Sequence, residues 1–554
     1  MRRSIPLKPL TYFHIGIIII LSLAVYGNSL YGKFLWDDKI LIEDNAYVKD
    51  FNNIPKIFSE NIGGGAAREI GFYRPFSIVT YTIDYSLWGL NVVGYHLSNI
   101  ILHILVTLSI YWLVNILFND KFLSLLTAAL FAVHPIHTEA ISYISGRTDP
   151  LAALFMLLCF IFYIKYLNSK GIAKCAIVLL SYILALLSRE NSLILPILLL
   201  LYHFAFKKKF NIKDFFPVLV ITFIYILLRL AALKHVLPQL SHPPLVQRIL
   251  GFFDAITNYL RLLLLPLNLH MTYEYKLFSF VHPTVMLGAI ISFSLLTYAF
   301  IKRKSDTLIP FSVFWFFIAL LPVSNIYPLN AYMAEHWLYL PSIGFFLILA
   351  KGLNPAYKSK GFQVILTAFI ISILVFYSFL TVKQNNYWRE PIAFYKRTLI
   401  YVPHSLRVYN NLGTAYANIG KYKEAVESFK KALEINPKDA HVHFNLGNAY
   451  KAIGEHEKAI VSYKRALELS SSDISTYCNL GNTYIAIGQY EEAISSYQKA
   501  IEINPKFATA HYNLAMAYYH EKRYDLAILH YERSIELGEK PNPEFSKLLK
   551  LHQE

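Results

Sequence analysis

Cysteine is scarce in this chain. Only Cys159, Cys175 and Cys478 occur among 554 residues. Two lie in apolar runs and the third far downstream, so neither a disulfide framework nor a zinc spacing is available. Charged residues are few as well, at 16%. Acidic residues are short in one part only. From residue 404 onward Lys/Arg and Asp/Glu are equal at 18 each, so the whole net charge of +16 belongs to residues 1–403. There the cations cluster beside apolar runs, which reads as topology signals and affinity for anionic groups, not as nucleic-acid binding. What the chain has in abundance is apolar surface. It is 55% hydrophobic and 16% aromatic, with a mean hydropathy of +0.39. An ordinary soluble protein of this length is excluded.

The N-terminal "MRRSIPLKPL" and the apolar stretch to Leu30 read as a retained signal anchor, because many more spans follow. Runs of spanning length recur at 94–118, 121–137, 150–168, 173–189, 191–206, 214–233, 284–301, 309–326, 337–351 and 362–382, giving about eleven spans. The cations Arg2, Arg3, Lys8, Lys165, Lys170, Lys174, Lys207–Lys209, Lys213, Lys302–Lys304, Lys351, Lys358 and Lys360 orient these runs with the N-terminus inside. The outer face then receives a large first loop, 31–93, together with 134–149, the Arg189–Asn191 turn, 234–283, 327–336 and everything after 382. The stretch 246–267 carries Arg248, Asp254 and Arg261 within apolar sequence and reads as an amphipathic interfacial or re-entrant segment. The expected location is a plasma or inner membrane, crossed many times.

The tail repeats every 34 residues, with Leu412, Leu446, Leu480 and Leu514 equivalent. This is the tetratricopeptide pattern of paired helices. The fold class is therefore all-α: a polytopic membrane bundle (1–383), a junction with a partial repeat (384–405), four repeats forming an α-solenoid (406–541) and a tail (542–554). Asn411, Asn445, Asn479 and Asn513 recur at the same period. Asn is poor inside helices, and a row of amides offers a donor and an acceptor to a peptide backbone. The row resembles the asparagine ladder of O-GlcNAc transferase, which implies acceptor-binding residues. The alternative is that each Asn only bridges to its neighbouring repeat.

Asp37 and Asp38 in "WDD" stand at the mouth of the first span, followed by Arg74 in "YRPFSIVTY". "HPIHTEAISYISGRTD" supplies His134, His137, Glu139, Arg147 and Asp149; "SREN" supplies Arg189 and Glu190; "AEHWLYLPSIG" supplies Glu335 and His336. Charged groups at membrane depth are costly and mark functional sites. A carboxylate there can take a proton from an acceptor hydroxyl. The cationic and imidazole groups suit a lipid phosphate, with Glu139, Asp149, Glu190 and Glu335 as supporting carboxylates. His134, His137 and Glu139 are residue types a divalent metal could use, although Pro135 breaks the helical spacing.

These motifs, in this order and followed by the repeats, resemble the transmembrane-and-tetratricopeptide (TMTC) family of protein O-mannosyltransferases over nearly the full chain. The resemblance implies a GT-C-type membrane fold. It implies transfer of mannose or a similar hexose from a polyprenyl-phosphate donor to Ser/Thr of a protein acceptor outside the cytoplasm. The acidic pair carries the catalytic role onto Asp37 and Asp38. An inverting displacement of this kind expels a good phosphate leaving group and requires no cofactor, while leaving a divalent metal possible. Family members usually carry Arg where this chain has His336. The Lys-, Ile- and Leu-rich composition points to a prokaryotic homologue. The competing readings are a non-enzymatic membrane scaffold and a glycosyltransferase acting on a lipid or polymer.

Overall fold

The computed structural model describes residues 9–68, 70–233, 243–273, 276–329, 331–358 and 361–552. Arg2, Arg3, Lys8 and Lys360, used above for orientation, lie outside the described residues. Every regular element among the described residues is helical. The chain divides into two units, residues 1–394 and 395–554.

The first unit contains α1 (Pro9–Tyr26), α2 (Ile54–Ser59), α3 (Pro75–Trp88), α4 (Val92–Phe118), α5 (Lys121–Val133), α6 (Thr138–Ser142), α7 (Thr148–Asn168) and α8 (Ile172–Ser188). These are followed by α9 (Leu195–Ala205), α10 (Ile212–Ala232), α11 (Leu245–Leu264), α12 (Pro283–Lys302), α13 (Leu308–Leu320), α14 (Ser342–Lys358) and α15 (Gln363–Arg389). Local chemistry sets several starts. Asn91, Asp120 and Asn211 accept from backbone N–H groups at the first turns of α4, α5 and α10, and Pro75 and Pro283 open α3 and α12.

Among the described residues six segments are long and apolar enough to cross a membrane: Leu10–Tyr31, Val92–Phe118, Ile144–Asn168, Ile212–Ala232, Pro283–Lys302 and Gln363–Arg389. Five further apolar helices of 10–17 residues cover the other runs read from the sequence. Several of the short helices end in irregular backbone at Pro135, Arg189 and Leu321–Val323. Irregular backbone at membrane depth is tolerated only inside protein or along a polar cavity. The short helices therefore deliver polar segments to one end of the bundle.

α11 buries Leu250, Asp254, Tyr259 and Leu262 while Leu245, Val246 and Ile249 stay exposed. It packs against α12 and is not one of the six candidate spans.

α15 continues past the apolar run 362–382, through "KQNNYWR", to Arg389. Its polar side chains are satisfied by other helix ends: Thr381 donates to Val133 O at 2.6 Å, Gln384 to Leu269 O at 3.3 Å and Asn385 to Val25 O at 2.7 Å. Asn385 Nδ2 also reaches Asn28 Oδ1 at 2.8 Å, and Lys33 N–H donates to Arg389 O at 3.3 Å. The first and last spans are thus tied beside the first loop.

In the second unit eight helices, from α17 (Leu406–Asn418) to α24 (Tyr524–Glu536), pair as antiparallel hairpins, preceded by α16 (Pro391–Tyr401) and closed by α25 (Pro543–Lys550). The partners approach closely because the contact residue is glycine. A Cβ on Gly447 would lie 2.6 Å from Cε1 of Tyr463.

Candidate functional site

The loop after α1 turns sharply at Trp36, whose φ of +52° is left-handed. That conformation costs a bulky residue of order 1–3 kcal/mol and concentrates at functional positions. It stands immediately before the acidic pair. The two acids then diverge. Asp38 is fully buried. Its Oδ2 accepts from Leu35 N–H at 2.9 Å, and its Oδ1 from Ser145 N–H at 2.8 Å and from the Ser145 hydroxyl. Burial pushes its carboxyl up to about 7 against the pull of those three donors. Asp37 is half-buried, and its N–H donates to the Tyr143 hydroxyl at 3.0 Å. Asp38 therefore staples the first loop to the 139–147 segment, while Asp37 lies nearer the surface. The segment is tightly folded. A side chain on Gly146 would place Cβ 2.4 Å from Glu139 O.

The remaining charged residues pair across long sequence distances. Arg74 grips Glu190 with two bonds, Nε–Oε2 2.8 Å and Nη2–Oε1 2.5 Å. Arg189 pairs with Asp149 and donates to Thr148 Oγ1 at 3.2 Å. His336 presents Nδ1 to Glu139 Oε1 at 2.7 Å and its backbone N–H to Oε2 at 3.1 Å. Asp149 lies in the electrostatic field of Arg189, His336, Arg74 and Glu139 together. These six residues therefore form one polar cluster at one end of the bundle. Beside it, buried Glu335 accepts from His270 N–H at 2.5 Å and Tyr273 hydroxyl at 2.7 Å.

Three residues named as phosphate ligands sit elsewhere. Arg147 is 1% exposed, bound to Asp84 at 2.6 Å, Asn99 Oδ1 at 2.8 Å and Tyr95 O at 3.0 Å, with its guanidinium over the Tyr81 ring. It locks α3 to α4 from inside. His134 donates from Nε2 to Leu263 O at 3.1 Å and accepts at Nδ1 from Ile136 N–H at 3.2 Å. His137 is fully buried among Phe131, Tyr339 and Phe346. Both imidazoles belong to the packed interior because Pro135 turns them inward. His134, His137 and Glu139 do not converge, and no group of three metal-ligating side chains occurs among the described residues.

Two residues with no role in the sequence reading join the cluster. Tyr225 and Arg229 stand one turn apart on α10. Both lie in the electrostatic field of Glu190 or act on it. The signal was present: Arg229 is the sole charge in "FFPVLVITFIYILLRLAAL".

In the repeats, Asn445 Nδ2 donates to Asn410 Oδ1 at 2.9 Å and Asn479 Nδ2 to Asn448 Oδ1 at 3.0 Å. These two members of the row bridge neighbouring repeats. Asn411 and Asn513 are half-buried at the equivalent positions.

Comparison with known proteins agrees in both halves. The TPR-repeat family matches residues 413–454, 447–488 and 481–521, and a second tetratricopeptide-repeat family matches 508–540. A protein O-mannosyl-transferase of Caenorhabditis elegans is 28% identical over 74% of this chain and 61% of its own length. Protein O-mannosyl-transferase TMTC1 of Homo sapiens is 27% identical over 73% of this chain and 53% of its own. Among solved structures, MamA is 31% identical over 26% of this chain and 85% of its own, with a TM-score of 0.26. The chain is thus similar to protein O-mannosyl-transferases over about three-quarters of its length, and it spans about half to three-fifths of the relatives it matches.

Proposed function

We propose that this chain is a membrane glycosyltransferase that moves mannose or a similar hexose from a polyprenyl-phosphate donor to Ser/Thr hydroxyls of proteins, on the extracytoplasmic face. The observation that carries the reading is the asymmetric acidic pair. Asp38 is fully buried with both oxygens engaged, and Asp37 is half-buried, next to a strained residue. Asp37 is the general base and Asp38 is its positioning residue.

In the reaction, Asp37 takes the proton of the acceptor hydroxyl, the oxygen attacks the anomeric carbon, and the C–O bond to phosphate breaks with inversion. The leaving polyprenyl phosphate keeps the electron pair and is stabilised by the arginines of the cluster. Phosphate departs without protonation, so the step is balanced without a metal. The repeats hold the acceptor chain, with the free amide valences of the Asn row as backbone ligands.

The test is transfer by the purified full chain in vesicles of defined orientation, with a panel of polyprenyl-phosphate sugars and a Ser/Thr peptide library. Labelled peptide is expected only when the Asp37 face meets it. Asp37→Asn is expected to lower the rate about 10²–10⁴-fold. A wild-type rate in Asp37→Asn, or no transfer from any donor by folded protein, overturns the reading.

A further inference from the structure

In the charge cluster, the three carboxylates are committed. Both oxygens of Glu190 take Arg74, Asp149 takes Arg189, and both oxygens of Glu139 take His336. Donors are left over. The Tyr225 hydroxyl, the Nε–H of Arg229 and the Nε–H of Arg189 are buried atoms without a hydrogen-bond partner among the described residues. Tyr225 itself is only 3% exposed. Its ring lies 6.4 Å from that of Tyr73, the neighbour of Arg74. Residues four apart on a helix share a face, so Tyr225 and Arg229 present their polar groups together toward Glu190 and Arg74. Among the described residues Arg229 makes no ion pair, and the carboxylate it acts on, Glu190, is already held by Arg74; a guanidinium so placed at membrane depth is expensive, and buried donors without acceptors each cost about 1–3 kcal/mol. The complement of such a set is an acceptor-rich anion. A phosphate has three or more acceptor oxygens and matches guanidinium geometry.

The remaining surface of α10 says how such an anion would arrive. Phe216, Phe223, Ile224, Leu227 and Leu228 are exposed, and only Phe215, Val218 and Tyr225 are buried hydrophobics on this helix. α10 is an edge helix whose outer face is lipid-compatible along its length. A headgroup can reach Arg229 from the side while its hydrocarbon chain stays in lipid.

We infer that Arg229 and Tyr225, with Arg189 Nε–H, form the receptor for the phosphate of a membrane-lodged lipid. Naming that lipid a polyprenyl phosphate rests on the transfer reading above; the anion site itself rests on the leftover donors. Arg74 and Arg189 then shape the receptor through their carboxylates, and Arg229 supplies its uncommitted charge.

The experiment uses the full chain in nanodiscs of a zwitterionic lipid. Binding of a polyprenyl phosphate, the matching polyprenol and phosphatidylglycerol is measured by native mass spectrometry. Wild type is expected to prefer the polyprenyl phosphate over the other two. Arg229→Gln should weaken that ligand about 10- to 100-fold, the loss of one charge-assisted contact, and leave polyprenol binding unchanged. Arg229→Lys should restore part of it. Tyr225→Phe removes a hydroxyl that has no partner, so the fold keeps every contact while binding falls a few-fold. Equal affinity of wild type and both the Gln and Phe variants for the polyprenyl phosphate overturns the inference. Phosphatidylglycerol binding as tightly, and with the same Arg229 dependence, overturns the assignment to the polyprenyl lipid. The two readings separate cleanly. Arg229-dependent binding without any sugar transfer sinks the transfer reading alone. Transfer with unchanged binding and KM in Arg229→Gln sinks this one alone.

Discussion

Ser145→Ala tests the staple beneath the acidic pair. Ser145 donates twice to one carboxylate oxygen of Asp38, through its N–H at 2.8 Å and through its hydroxyl, while Leu35 N–H holds the other at 2.9 Å. All three bonds favour the ionised carboxylate; burial opposes them and prevails, leaving Asp38 at about 7. Alanine keeps both backbone donors and removes only the hydroxyl. A hydrogen bond to a charged group contributes about 1.5–3 kcal/mol against about 0.5–1.5 kcal/mol for a neutral one; the difference, about 1–1.5 kcal/mol, corresponds at ~1.36 kcal/mol per pH unit to roughly one unit. Asp38 should therefore titrate roughly one unit higher in the variant. The stability loss should depend on pH in the same sense. Where Asp38 is ionised in both proteins the variant loses the full charge-assisted bond. Where it is protonated in both, the loss shrinks to that of a neutral bond, about 0.5–1.5 kcal/mol. Infrared absorption of the protonated carboxyl, assigned by subtracting Asp38→Asn, reads the titration directly, and unfolding at both ends of the range reads the stability. A carboxyl band that titrates at the wild-type pH, or a stability loss that does not change with pH, refutes the argument.

The other expectations follow from the same geometry. Asp38 has a folded pKa of about 7 against an ordinary value of 3.8, so the native state binds the extra proton between those limits. Stability should fall as pH rises through this window, by up to about 4 kcal/mol. Thermal unfolding from acid to neutral pH should show this slope in wild type and lose it in Asp38→Asn; equal slopes would remove Asp38 as the cause. In the repeats, Gly447→Ala pushes a methyl to 2.6 Å from the Tyr463 ring and disturbs the 2.7 Å bond from Tyr463 to Asn448. The array should lose about 1–3 kcal/mol, and an unfolding midpoint equal to wild type would show that the helix pair has slack.

Features carried by local pattern were legible in the sequence. The apolar runs return as helices because a span must satisfy its own backbone, and the 34-residue period returns as helix pairs. The polar ends of the short helices were also visible as motifs. Partnership was not. Nothing local says that Arg74 takes Glu190, 116 residues on, or that Arg147 turns inward to Asp84 while Arg189 keeps to the cluster. The two aspartates look equivalent in "WDD", and only tertiary burial separates them. The polar end of α15 misleads a hydropathy reading because its amides are satisfied by other helix ends. His336 contacts Glu139 through Nδ1, a partnership the sequence did not show.

The knot of amides between the first and last spans also sets an order of assembly. Asn28 meets Asn385 across 357 residues, and the backbone of Lys33 waits for the carbonyl of Arg389. At about 5–20 residues per second of synthesis, roughly 20–70 s separate the insertion of α1 from the arrival of its partner. During that interval the loop bearing Asp37 lacks α15 and its hydrogen bonds, although Tyr143 and Ser145 are already made. The first loop is therefore begun among the first polar segments and closed among the last. A nascent chain shortened before α15 would carry every motif of the site and yet lack the fixed geometry that gives them chemistry.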